Sequence, residues 1–165
     1  MVALGLIPDP AAQAKPLDAA TELAWKGKWN LPFYSDTWDG NEWARERFYA
    51  QARNAGVDDL IFLAGDSHSF WANRLADAKG RATGIELGTA GITSPGDFID
   101  SGFDSATAAK LDAAFADHNP EILWTDNAHQ GYVRLELTRT VGRATFVAVD
   151  SIASRQYRTF PVSQW

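Results

Sequence analysis

Five consecutive apolar residues, Leu60-Ile-Phe-Leu-Ala64, stop at Gly65 and give way to Asp66-Ser-His-Ser69. A run of that length bounded by turn residues is the pattern of a strand buried on both faces, and it constrains the fold more than any other segment. Just before it, Asp39-Gly-Asn-Glu42 reads as a capping box, with Asp39 as N-cap and Glu42 at N3. The helix it opens carries Ala44, Phe48, Ala52 and Ala55 on one face and stops at Gly56. Side chains two apart on an extended strand project the same way, so Asp66 and His68 are expected to stand together at the strand tip, able to share one metal. Such tips, opening into loops, are where α/β proteins commonly place their chemistry. The plainer reading of Asp66 is a cap for a helix that follows.

Around this unit the sequence predicts an irregular lead-in over residues 1–35, punctuated by Pro8, Pro10 and Pro16, with weak helical character from Leu17 to Trp25. Residues 36–165 form the main body. Ser69–Ala78 reads as a short helix and Thr83–Thr89 as a strand leading into the turn-rich Gly91–Gly96. Ala106–Phe115 reads as a helix closed before Pro120. Ile122–Thr125, Tyr132–Thr138 and Ala144–Val149 form an antiparallel strand series, with Val141-Gly142 as the turn between the last two. The expected class is therefore mixed α/β or α+β layering.

Composition narrows the possible chemistry. A chain of 165 residues, 45% hydrophobic, suits one core and is short for two. With 15 Lys+Arg against 21 Asp+Glu it has no basic field to attract nucleic acid. It lacks cysteine, so any metal must be held by oxygen and imidazole. No apolar run approaches the roughly 20 residues of a membrane span. Met1–Ile7 is too short an apolar stretch, without preceding Lys or Arg, to direct export.

The remaining candidates have structural explanations of their own. His118 suits the cap of a helix C-terminus. His129, in Asn127-Ala-His-Gln-Gly131, suits a turn between strands and is a minor candidate. Trp38 and Trp71 flank the polar tips and could line a pocket.

Trp38-Asp-Gly40, Ala44-Arg-Glu-Arg47, Leu63-Ala-Gly-Asp-Ser-His-Ser-Phe-Trp-Ala-Asn73, Thr93-Ser-Pro-Gly96, Asn119-Pro120 and Gly131-Tyr132 follow one another in an order and spacing that resemble the C-terminal portion of PhoD-type alkaline phosphatases. The resemblance runs from about Leu31 to about Asp150. It implies the C-terminal half of a calcineurin-like metallophosphoesterase sandwich, two mixed sheets flanked by helices, with an iron and calcium centre that hydrolyses phosphomonoesters and phosphodiesters. On that resemblance Asp66 and His68 match the family's C-terminal metal-ligand motif, a donor pair suited to ferric iron beside calcium. The implied reaction is metal-assisted hydrolysis needing no nucleophilic Ser or Cys. Trp71, Asn73 and Asp39 are possible pocket residues. Family members are several times longer, and their other ligands come from an N-terminal half with no counterpart here. The chain is thus expected to be a truncated or split member, with an exposed sheet edge and apolar face where that half would pack. The parent family implies a periplasmic or extracellular setting.

Two other readings stay open. Gly65-Asp66-Ser67 also resembles the nucleophile block of GDSL-type esterases, with Ser67 as nucleophile, His129 as base and Asp126 orienting it. In that family, however, the serine block lies near the domain start, and a Gly-x-Asn-Asp block missing here follows it. The chain could instead be an inert domain, or a subunit that completes a site only with another chain.

Overall fold

A computed structural model describes residues 25, 26, 28, 29, 31, 32 and 34–165. The expected irregular stretch at 8–16 and most of the weak helix at 17–25 lie outside the described residues. The chain divides into two compact units, Met1–Gly40 and Asn41–Trp165. In the first, Tyr34–Gly40 is a succession of turns, closed by a bond from Gly40 N–H to the Thr37 carbonyl at 3.1 Å.

The second unit begins with α1 (Glu42–Asn54), whose N-cap is Asn41 without a side-chain capping bond. The capping box is therefore not formed: Asp39-Gly40 completes the preceding turn, and Glu42 is the first helical residue rather than the third. The inward face is also rotated from the expected one. Tyr49 is buried at 3% exposure while Phe48 is 38% exposed, and Arg53, on the Tyr49 side, lies 2.9 Å from the buried Asp77 carboxylate. Gly56 does end the helix. At φ +74° it lets its own N–H reach the Arg53 carbonyl and the Val57 N–H reach that of Ala52, the paired bonds of a Schellman cap.

Next come β1 (Leu60–Ala64), β2 (Phe70–Ala76), β3 (Ala82–Gly88), α2 (Asp97–Asp100), α3 (Ser105–His118), β4 (Ile122–Asp126), β5 (Gln130–Leu137), β6 (Gly142–Val149) and β7 (Thr159–Gln164). They build a four-stranded sheet in the order β1-β3-β2-β4 and a three-stranded sheet in the order β5-β6-β7. The segment read as a helix from Ser69 is thus strand β2. It is inserted between β3 and β4 and hydrogen-bonded on both sides, so sheet pairing overrides the helical preference of its Ala, Arg and Leu residues. Nor do the last three expected strands form one series. β5 and β6 pair as anticipated, but β4 joins the other sheet, antiparallel to β2. The unanticipated β7 contains Pro161 and lies at a sheet edge, opposite Val147 where the register shifts, a place where a missing N–H is tolerated.

The sheets face one another across Phe70, Ala72, Leu87, Ala90, Ala144 and Phe146, with Trp124, Val133, Leu135 and Val162 packed against them. Phe146 meets Phe70 edge-on at 5.5 Å and Trp124 at 4.9 Å. One paired row shows where this cover ends. Trp124, Ala72, Leu87 and Leu63 are successive lateral partners on one sheet face, yet Ala72 and Leu87 are 2% and 3% exposed and Leu63 is 67% exposed. Ile61 and Ile85 in the adjacent row are exposed as well. Strand β1 is therefore not buried on both faces; it is an edge strand covered on one face only, where Phe62 packs 5.6 Å from Phe48 of α1.

Candidate functional site

Strands β1 and β3 are parallel, while β2 runs antiparallel to both β3 and β4. The carboxyl ends of β1, β3 and β4 therefore lie at the same end of the sheet as the start of β2. That end collects Asp66 and His68 between β1 and β2, the Gly91–Asp97 loop after β3, and the Asp126–His129 turn after β4. The organisation follows the rule that open sheets present their chemistry beyond strand carboxyl ends.

Asp66 and His68 do not reach this position by strand alternation. Their φ angles are +71° and +52°, and among the described residues they are the only non-glycines with positive φ. The chain turns through the left-handed region twice in three residues, a conformation that costs L-residues about 1–2 kcal/mol each, less for Asp. The cost is borne by a stitched loop. Ser67 Oγ donates to the Ser69 carbonyl at 3.3 Å and accepts from Trp71 Nε1 at 3.1 Å, while Trp71 meets Phe115 of α3 edge-on at 6.1 Å. Asp66 is exposed, and the His68 side chain is 42% exposed with its Nδ1 3.8 Å from Asp97 Oδ1. Burial, reinforced by nearby Asp100, pushes the Asp97 carboxyl above its ordinary value. Nδ1 is thus at ion-pair rather than hydrogen-bond distance from the Asp97 carboxylate.

The Asp126–His129 turn is well formed. Asp126 Oδ1 accepts from the backbone N–H groups of Ala128 and His129, at 2.9 and 3.0 Å, and its Oδ2 lies 2.8 Å from His129 Nδ1. The imidazole also stands edge-on to Phe160 at 5.7 Å. Asp126 and His129 are thus brought together as the esterase reading requires, but no hydrogen bond links Ser67 to His129 among the described residues, and the Ser67 hydroxyl is spent within its own loop. Asn73 sits further along β2, its Nδ2 donating to Glu86 Oε1 at 3.1 Å and its buried Oδ1 without a partner. His118 is the exposed last residue of α3. The cap falls instead to Asn119, whose N–H and Nδ2 both donate to the Phe115 carbonyl, at 3.1 and 2.8 Å. Trp38 and Asp39 belong to the first compact unit.

Sequence reasoning missed the polar centre behind these loops. Asn127, 2% exposed, donates from its backbone N–H and its Nδ2 to the two oxygens of Asp112 on α3, and accepts from Ser69 Oγ at its Oδ1. Burial raises the Asp112 carboxyl, opposed by the two Asn127 donors. The available signals were faint: one acid among alanines in Asp112-Ala-Ala, and an Asn directly after an apolar strand.

An exposed carboxylate and an oriented imidazole fit a hard or borderline cation in kind. In number they fit part of a centre, since no group of three or more His, Asp or Glu side chains able to hold a metal ion gathers among the described residues.

One mixed and one antiparallel sheet, layered together and flanked by helices, with acid and imidazole side chains at the carboxyl ends of the mixed sheet's strands, define the class of molecule; comparison with known proteins specifies it. The family model of PhoD-like phosphatases matches residues 8–146. Alkaline phosphatase D of Bacillus subtilis (strain 168) is 31% identical over 121 residues, which cover 67% of this chain and 19% of that protein. The solved structure of PhoD superposes with a TM-score of 0.63 at 24% identity, over 78% of this chain and 24% of that one. The chain belongs to the PhoD-like phosphatase family, and it spans about one-fifth of the length of the curated relative it matches.

Proposed function

We propose that this chain forms the C-terminal part of a metal-dependent phosphoester-hydrolysing domain, with Asp66 and His68 as two of its metal ligands. The observation that carries the reading is the pair of left-handed residues at positions 66 and 68. Left-handed non-glycine backbone confined, among the described residues, to one acid and one imidazole in a loop at the carboxyl end of a sheet supports a loop that holds side chains for a ligand. Ferric iron with calcium is the ion pair that the family resemblance implies, and small phosphomonoesters or phosphodiesters are the substrates. By the same resemblance the parent protein acts in the periplasm or outside the cell.

When bound, such ions supply Lewis-acid activation of water and neutralise charge on the phosphoryl oxygens. The chain's own part is to hold. Asp66 presents carboxylate oxygens, Asp97 stands 3.8 Å from His68 Nδ1 and leaves the other ring nitrogen for a cation, and the Ser67–Trp71 bond ties the loop to β2. The open edge of β1 and the exposed Ile61, Leu63 and Ile85 support the further reading that another segment of a PhoD-like domain completes both sheet and site.

The test mixes this chain with a separately produced N-terminal part of a PhoD-like phosphatase and follows hydrolysis of p-nitrophenyl phosphate and its bis-ester. Activity is expected in the mixture, abolished by chelator and by Asp66→Asn, and untouched by a serine-directed phosphonate. Turnover that survives chelation, or none from mixture or halves, overturns the assignment.

A further inference from the structure

The buried polar cluster of Asp112, Asn127, Thr125 and Ser69 is more elaborate than packing between α3 and β4 requires. Asn127 is its hub. Toward α3 it gives both its N–H and its amide to one carboxylate, that of Asp112, which is 9% exposed. Toward the site loop it takes the hydroxyl of Ser69, 1% exposed and the residue directly after His68. Its Nδ2 also lies 3.4 Å from Thr125 Oγ1, which donates at 2.9 Å to the carbonyl of Phe70, the next residue along. A third segment arrives from the β3 side. A Cβ added to Gly96 would lie 2.2 Å from the Asn127 carbonyl oxygen, so only glycine permits this approach, and the residue after it is Asp97, the carboxylate facing His68.

One buried side chain is therefore tied to the loop bearing His68 and, through its backbone, packed against the loop bearing the partner of His68. It also directly follows Asp126, which holds His129. A buried, fully bonded amide is rigid, because breaking any one of its bonds leaves a desolvated group unpaired. We infer that Asn127, anchored by Asp112, is a positioning residue: through Ser69 and Gly96 it sets the distance and orientation of His68 relative to Asp97, and so the stance of the imidazole toward a cation. The inference deepens the reading of His68 as a ligand and rests on it for its functional meaning, but the positioning itself is measurable without metal.

The experiment uses the intact chain and three variants: Ser69→Ala, Asn127→Asp, and the exchange Asp112→Asn with Asn127→Asp. The exchange preserves the bonds of the hub to position 112 and to Ser69 and gives up only the longer 3.4 Å approach to Thr125 Oγ1. The new amide at 112 accepts from the backbone N–H of 127 and donates to the new carboxylate there, whose second oxygen still accepts from Ser69. Imidazole resonances of His68 are followed by nitrogen-detected NMR, with exposed His118 as internal control, and affinity for Co²⁺ is measured by titration. Ser69→Ala and Asn127→Asp are expected to shift or broaden the His68 resonances and to weaken Co²⁺ binding about tenfold, with His118 unchanged. The exchange is expected to restore both.

Should Asn127→Asp fail to fold, Ser69→Ala and the exchange still decide. His68 resonances unmoved in Ser69→Ala, or an exchange that recovers thermal stability but not the His68 resonances, overturn the inference. A parent chain that binds no Co²⁺ while its His68 resonances respond as expected removes the metal reading and leaves the positioning standing.

Discussion

The two ends of the four-stranded sheet use the same kinds of residue and stand in opposite condition. At the far end, in the turn from β2 to β3, Asp77 is 5% exposed and its bonds are complete: guanidinium groups of Arg53 and Arg81 at 2.9 and 2.7 Å, and backbone N–H groups of Lys79 and Arg81 at 2.9 Å each. At the near end Asp66 is exposed, His68 is half-exposed, and both occupy left-handed backbone that costs an L-residue stability. A carboxylate that closes a structure is surrounded by donors. Asp66 is instead held out on left-handed backbone, and neither count nor sequence spacing separates the two conditions.

That contrast can be broken most severely at the closed end. Asp77→Ala leaves the guanidinium groups of Arg53 and Arg81 without their carboxylate, and is expected to lower the thermal midpoint more than substitution of Asp66 or His68. An unchanged midpoint would dissolve the contrast. Acid probes the same group. Burial alone would raise the Asp77 carboxyl, but the bonds from Arg81 and Lys79 outweigh it and hold it at about 2 against an ordinary 3.8. Because the folded value lies below the unfolded one, this stabilisation is complete above pH 3.8 and is lost as pH falls towards 2. Urea midpoints that fall across that window in the parent, and fall less in Asp77→Asn, would confirm the assignment; equal slopes would overturn it.

At the open end the expected sign reverses. His68→Gly relieves a left-handed residue and should raise stability by about 1 kcal/mol in urea unfolding while weakening metal binding. A loss of stability there would make His68 a structural residue. The smallest effect belongs to the uncovered row: Leu63→Lys should change the stability of the isolated chain by no more than about 0.5 kcal/mol and improve its solubility. A cost of several times that would mean Leu63 is already covered.

How much of this was legible in the sequence varies element by element. The apolar run of β1, the alternation of Val133–Leu137 in β5 and the alanine-rich α3 all carry local signals, and all appear. The Ser69–Ala78 helix was misread because Phe70-Trp-Ala-Asn-Arg-Leu-Ala76 has no strict alternation; its strand character comes from two neighbours distant in sequence. The capping box at Asp39 failed because an Asp-Gly pair serves a turn equally well. Asp66 and His68 share one loop, but strand alternation is not what brings them there, since neither lies on extended backbone.

The sequence by itself determined the helix leading into β1, the lack of cysteine among these 165 residues, and the family, because these depend on residue identity and short-range pattern. Only the tertiary structure decided that β4 leaves its expected hairpin series to flank β2, that Asn127 reaches Asp112 and Ser69 at once, and that Leu63 faces solvent beside a buried Leu87. Each of these depends on which surface lies opposite, and a hydrogen bond or a buried area between residues far apart in the chain leaves no mark on the local pattern of either.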